Sequence, residues 1–241
     1  MDLTFYIVII SVLGPVIGSA LGVLRRPSAD YVCNLLCFAA GVMLAISFLE
    51  LIPESIRLSS VTGCVVGFIA GTLIMYGVDR TLHHLHPQLC SQEQGCNLQR
   101  TSVYLIAGIA MHNFPEGMAI ATGSVTSLKA SLVIALAIAI HCIPEGICTA
   151  ASYYHSSGQR LKSFLISAST AIPILIGYVV ARFLFVTVSP AAIGMVIAAT
   201  AGFMIYITTD ELIPSSCAGE DHRTIFCLVS GVVFVILLGV I

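Results

Sequence analysis

Two short motifs carry the residue types best suited to chemistry. His112-Asn113-Phe114-Pro115-Glu116-Gly117 returns as His141-Cys142-Ile143-Pro144-Glu145-Gly146, at an offset of 29. Histidine and glutamate four apart project from one helix face. Two such helices offer two imidazoles and two carboxylates to one point, a set suited to Zn²⁺, Fe²⁺ or Mn²⁺. Each proline removes a backbone donor and clashes with the carbonyl four residues earlier. The carbonyls of Met111 and Ile140 are therefore expected to come free, with a kink beside the ligands. The glycine that follows lets either another backbone or a passing ion come close.

The surroundings of these motifs are apolar. Asp and Glu number 12 and Lys and Arg 10 in 241 residues, 9% of the chain, where soluble domains hold about 25%. Hydrophobic residues make up 58% and mean hydropathy is +1.02, more apolar surface than a soluble core of this size hides. That excludes an ordinary cytosolic enzyme. A net charge of -2 provides no basic face for nucleic acid, and no P-loop is present for a nucleotide. The chain reads as a polytopic membrane protein. There, a carboxylate at mid-bilayer costs at least about 2.5–3.5 kcal/mol, and two together repel unless a cation or a proton sits between them. A divalent cation resolves both problems. The plainer alternative is a protonated, hydrogen-bonded cluster that holds helices together, and two matched His-x₃-Glu sets weigh against it.

The elements that must position these motifs follow from hydropathy and turn residues. Spans are predicted near 3–24, 31–52, 60–79, 101–124, 127–152, 161–186, 190–211 and 224–241, an all-α membrane protein of eight transmembrane helices forming a single domain. β-barrel alternation is absent, which leaves helices as the structure that satisfies its backbone in lipid. With the N-terminus outside, Arg25, Arg26, Arg80, Arg100, Arg160, Lys162 and Arg223 fall inside, against Arg57, Lys129 and Arg182 outside. That asymmetry favours both termini outside, in a plasma or cytoplasmic membrane. No basic region precedes the first span, so a cleaved signal peptide is not expected. The cysteines mostly fall in spans as small apolar residues, with Cys90 and Cys96 in an inner loop.

A second repeat relates spans two and seven. Ala40-Gly41-Val42-Met43 through Glu50-Leu51-Ile52-Pro53 recurs as Ala201-Gly202-Phe203-Met204 through Glu211-Leu212-Ile213-Pro214, at an offset of 161. The two spans are separated by an odd number, so they are expected to cross in opposite directions. Spans 1–3 and 6–8 then form an inverted repeat, as in many secondary transporters, and the arrangement reads 3+2+3 about the central motif pair.

The two Pro-Glu-Gly motifs, the eight spans and the Glu-Leu-Ile-Pro repeats together resemble the Zrt/Irt-like (ZIP) divalent-metal transporters, most nearly the short-looped bacterial zinc-uptake branch. The resemblance covers essentially the whole chain. It implies uptake of Zn²⁺, with Fe²⁺, Mn²⁺ or Cd²⁺ as further substrates, into the cytoplasm by a homodimer. It also implies an elevator-like movement of spans 1, 4, 5 and 6 against the other four. Carried onto this sequence, the main metal site would use His112, Glu116, His141 and Glu145. A second site would use Asn113 and Cys142 with the glutamates bridging. Cys142 stands where an Asn or Asp is common, and span six, Ala171 to Gly177, has no carboxylate where the family often supplies one. The second site is therefore softer or absent, and hard ions such as Mn²⁺ should bind less well.

Other polar residues have weaker claims. His83, His84 and His86 in the inner loop, about 80–100, could receive metal on the cytoplasmic side or belong to an ordinary polar loop. Glu50, Asp210 and Glu211 are either vestibule charges that concentrate cations or interfacial helix-end carboxylates. Met43 and Ser47 could line a path, although such residues more often pack. Gly14, Gly18 and Gly22 form a small-residue face for close helix packing.

The leading reading is a secondary carrier for divalent metals, with no organic cofactor. A metal-selective channel could use the same ligands. An intramembrane zinc enzyme would need an open zinc position and a motif such as His-Glu-x-x-His, which is absent from the sequence.

Overall fold

The structure, a computed structural model, describes residues 3–85, 98–126, 128–184, 189–216 and 222–239, and structural statements concern these. Among them the chain is helical almost throughout, in eight rods, with no strand. Helix α1 is Leu3–Gly22. Helix α2 starts at Ala29, where the Ser28 hydroxyl accepts from the Tyr31 amide at 3.3 Å and caps the first turn. It runs to Ile46, continues through a π turn at Ser47–Leu51 and ends with Ile52–Leu58. Helix α3 is Val61–Leu85, α4 is Leu98–Thr126 and α5 is Leu128–Ser157. Helix α6 comprises Arg160–Ala168, a 3₁₀ turn at Ser169–Ala171 and Ile172–Leu184. Helix α7 comprises Pro190–Ile207, a π turn at Thr208–Leu212 and Ile213–Ser216, and α8 is His222–Gly239.

Five stretches are long and apolar enough to cross a membrane: Phe5–Gly22, Ala29–Leu58, Val61–Arg80, Arg160–Phe183 and Pro190–Asp210. The apolar helix His222–Leu237 is shorter. All eight predicted spans fall on helices, but their ends move. Helix α3 passes its expected end by six residues, from 79 to Leu85, because no glycine or proline follows Gly77 until Pro87. His83 and His84 thus lie in its last turn rather than in the loop, a correction to the sequence reading. His86, Cys90 and Cys96 lie outside the described residues. Helix α5 continues past 152 to Ser157 and stops at Gly158, whose φ of 68° gives the left-handed cap that favours glycine. The Gly158 amide donates to the Tyr154 carbonyl at 2.9 Å.

Prolines account for the interruptions. Pro173 cannot bond to the Ser169 carbonyl, and the chain tightens into a 3₁₀ turn over Ser169–Ala171. In α2 and α7 the residue before the proline bonds five positions back, Ile52 to Ser47 and Ile213 to Thr208. The two π turns sit 161 residues apart, so the sequence repeat is also a repeat of backbone conformation. Helices α4 and α5 continue through Pro115 and Pro144.

The chain divides into two compact units. One comprises Met1–Pro27 and Ile106–Ser189, the other Ser28–Leu105 and Pro190–Ile241. In the first, α1 lies along α5 so closely that a Cβ at Gly18 would sit 2.2 Å from the Ile143 carbonyl oxygen. Its core joins Ile7 and Val8 to Ile120, Ile138, Cys142 and Ile174. In the second, α3 lies along α7 and α8 along α2, where a Cβ at Gly41 would meet the Leu228 carbonyl at 2.0 Å. Glycine permits both approaches, and that of α1 is the one its small-residue face predicts.

Candidate metal centre

Every residue of the two central motifs belongs to the first unit. His112, Asn113, Glu116, His141, Cys142 and Glu145 are all buried, at 6% exposure or less. The ligand atoms of His112, Glu116 and His141 lie within 4.8 Å of one another. Glu116 is the hub. Its Oε1 lies 2.5 Å from His141 Nε2 and 2.8 Å from His112 Nε2, and the Cys142 thiol donates to its Oε2 at 3.5 Å. Glu145 stands further off, with Oε1 4.0 Å from His112 Nε2. The imidazole centroids are 6.2 Å apart.

A metal centre and a helix-holding polar cluster differ in how their buried polar atoms are expected to be satisfied. A buried polar group without a partner costs about 1–3 kcal/mol, so a structural cluster should satisfy its members. Here both Glu145 oxygens, both His112 nitrogens and Asn113 Oδ1 are buried without a hydrogen bond. His112 Nε2 is at ion-pair distance from Glu116, but off the line of a hydrogen bond. Imidazole nitrogens and carboxylate oxygens are donor types that suit a divalent cation, and those of His112, Glu116 and His141 lie together. A tetrahedral ion about 2.0–2.1 Å from its ligands spaces them about 3.3 Å apart. The observed separations of 2.5, 2.8 and 4.0 Å fall on both sides of that spacing.

The helices that position these ligands meet through the motif glycines. A Cβ at Gly117 would lie 1.9 Å from the Ile174 carbonyl of α6, and one at Gly146 would lie 2.7 Å from the Pro15 carbonyl of α1. Of the two uses open to these glycines, the structure shows the close backbone approach. Each glycine pins its helix to a neighbour one residue beyond the glutamate. The Asn113 side chain turns to α6, where Nδ2 donates to the Thr170 carbonyl at 2.6 Å.

The family model described as ZIP Zinc transporter matches residues 1–97 and 86–239. The chain belongs to the ZIP zinc transporter family. The chain is 36% identical over 223 residues to proteins named zinc transporter ZupT from Escherichia coli, among them those of strains O127:H6 (E2348/69 / EPEC), K12 / DH10B and O157:H7 (EC4115 / EHEC). Each alignment covers 89% of this chain and 86% of the relative. ZIP proteins are transporters rather than enzymes, and with its apolar helices this one is an integral membrane protein.

The remaining sequence-predicted residues of this ZIP chain lie in the second unit. Met43 and Ser47 are fully buried: Ser47 Oγ donates to the Met43 carbonyl at 2.8 Å, and Thr208 Oγ1 approaches Met43 Sδ at 3.9 Å. Glu50 and Asp210 are exposed in the two π turns. Glu211 shares the second π turn, with its side chain outside the description. Cys33, Cys37, Cys64, Cys142, Cys148 and Cys227 are thiols, with no disulfide among the described residues.

One group of polar residues escaped the sequence reading: Ser19, Thr149, Ser167 and Thr170, buried beside the motifs in the first unit. Thr149 had a signal, since it stands four residues after Glu145 on the same face. The α6 residues had none.

Proposed function

We propose that this chain carries Zn²⁺ into the cytoplasm by binding it between α4 and α5 at His112, Glu116, His141 and Glu145. One observation carries the reading: a buried Glu145 carboxylate with no hydrogen bond stands beside a three-residue cluster whose ligand atoms already converge. The charge of a divalent ion removes the cost of burying two carboxylates together. The names of the Escherichia coli relatives support zinc as the cargo. Fe²⁺, Mn²⁺ and Cd²⁺ are further substrates on donor chemistry, with Mn²⁺ the poorest because α6 adds no carboxylate.

Both termini lie outside and the copies pair as a homodimer. The matched π turns of α2 and α7 support an inverted repeat in a 3+2+3 arrangement, and the excess of Lys and Arg in the inner loops supports the orientation. Division of the chain into two compact units, with the ligands in only one, supports an elevator-like step in which that unit carries the ion. Glu116 or Glu145 takes up a proton as the metal leaves. Asn113 and Cys142 flank the ion, Glu50, Asp210 and Glu211 draw cations towards the path, and His83, His84 and His86 receive them inside.

Radiolabelled zinc uptake into proteoliposomes tests the site. Wild type should accumulate zinc with saturation, whereas His141→Ala and Glu145→Ala should lose uptake while remaining folded. Normal uptake in both variants would refute the assignment, and unitary currents in place of saturable flux would make the protein a channel.

A further inference from the structure

Helix α6 lies against both motifs at its 3₁₀ turn and the residues just before it, and bonds to each. On one side Thr170 offers its carbonyl to Asn113 Nδ2 at 2.6 Å. On the other, Ser167 Oγ donates to the carbonyl of Gly146 at 3.2 Å and meets Thr149 Oγ1 at 2.5 Å. Thr149 Oγ1 in turn reaches the Glu145 and Gly146 carbonyls at 3.0 and 3.1 Å. Ser19 Oγ of α1 lies 2.7 Å from Ser167 Oγ and 2.6 Å from its own Pro15 carbonyl, and Thr170 Oγ1 closes the turn on the Ser167 carbonyl at 2.8 Å. All of these side chains are 2% exposed or less.

We propose that Ser167, Thr149 and Ser19, with the Thr170 carbonyl, form a hydroxyl bracket that positions the α4 and α5 ligands relative to one another. This rests on the metal site proposed above and assigns the bracket no contact with the ion. Two physical points carry it. A backbone carbonyl only accepts, so the atom of Asn113 facing Thr170 is its amide nitrogen, and its oxygen faces the opposite way. The bracket thereby selects which end of Asn113 is left for a cation. On α5, Thr149 Oγ1 bonds back to the Glu145 and Gly146 carbonyls of its own helix, and Ser167 of α6 holds that turn from outside through the Gly146 carbonyl and Thr149 Oγ1, although the Glu145 carboxylate has no hydrogen bond. Where many metal ligands are steered by bonds to their side chains, Glu145 is steered through its backbone. The proline beside it weakens the local helical ladder, which is where an outside tie has most effect.

The test compares zinc uptake by proteoliposomes and zinc binding in detergent for wild type, Thr149→Val, Thr149→Ser, Ser167→Ala and Asn113→Asp, with His141→Ala as the site control. Thr149→Val keeps the shape and removes the hydroxyl. It should raise the zinc KM and Kd by about tenfold, the lower end of what loss of a ligand-orienting partner costs, with Vmax per folded transporter unchanged. Thr149→Ser should restore both. Asn113→Asp adds a potential ligand oxygen but sets a carboxylate against the Thr170 carbonyl, so it should bind zinc more weakly than wild type. If Asn113 acts only as a ligand, Asp binds as well or better, and that result would overturn the bracket. So would an unchanged KM in Thr149→Val with uptake still abolished by His141→Ala. If His141→Ala also transports normally, the site itself falls, and the bracket with it.

Discussion

Glu116 and Glu145 occupy the same place in two nearly identical motifs and have unequal surroundings. Glu116 is met by His112, His141 and Cys142, whereas neither oxygen of Glu145 has a hydrogen bond. The shared Pro-Glu-Gly cannot produce that difference. It comes from the residue after each histidine, since Asn113 turns away to α6 while Cys142 turns in to Glu116. It comes also from the neighbours, because α4 is pinned against α6 at Gly117 and α5 against α1 at Gly146. One carboxylate is organised in advance and the other is held in place with its oxygens unengaged. Under the proposed function, Glu116 would serve as the hub and Glu145 as a closing ligand.

The comparison is broken most directly at the hub. Glu116→Gln replaces the carboxylate shared by both imidazoles with a neutral amide and should reduce zinc uptake more than loss of an orienting partner does, so by at least about 100-fold. Glu145→Gln neutralises a carboxylate that makes no hydrogen bond in the structure and should fall nearer to about tenfold. Uptake at limiting zinc, normalised to folded protein, ranks the two. The opposite order would mean that Glu145 is the hub.

The scaffold beneath the two glutamates gives the second contrast. A Cβ at Gly117 lands 1.9 Å from a backbone oxygen, against 2.7 Å at Gly146. Backbone cannot swing aside as a flexible side chain does, so Gly117→Ala should destabilise by the upper part of the about 1–3 kcal/mol expected for overpacking, and Gly146→Ala by the lower part. Thermal unfolding in detergent measures both. Equal losses would show that the two motifs are pinned alike, and the asymmetry would then rest on Asn113 and Cys142 alone.

The sequence made the eight helices and the convergent ligands legible for different reasons. Long apolar runs must be helical in lipid, and His-x₃-Glu fixes a shared face whatever the tertiary structure. Helix ends were less legible. Asp79 and Arg80 look like the edge of a span, yet a charged residue does not stop a helix, and α3 continues to Leu85. The turns at Ser47–Leu51, Ser169–Ala171 and Thr208–Leu212 were readable in principle from Pro53, Pro173 and Pro214, each of which deprives a carbonyl of its donor. The contacts of Ser19, Ser167 and Thr170 were not readable. Serine and threonine in an apolar helix ordinarily bond back to their own turn, and only packing reveals a bond to another helix.

The finest contrast is between Asn113 and Cys142, which hold matching positions in the two motifs. A thiol is a weak donor, and Cys142 makes one bond to Glu116 at 3.5 Å. Removing it in Cys142→Ala should cost about 1 kcal/mol, roughly fivefold in the zinc KM. Ion preference separates the roles of this residue more sharply than zinc affinity does. Sulfur favours softer ions and amide oxygen harder ones, so Cys142→Asn should lower cadmium uptake relative to manganese uptake if the sulfur meets the ion. If Cys142 only organises Glu116, both ions should weaken together and their ratio should hold. Competition of each ion against radiolabelled zinc reads that ratio. A constant ratio would leave Glu116 organised by a hydrogen bond from α5 and the site built of nitrogen and oxygen alone.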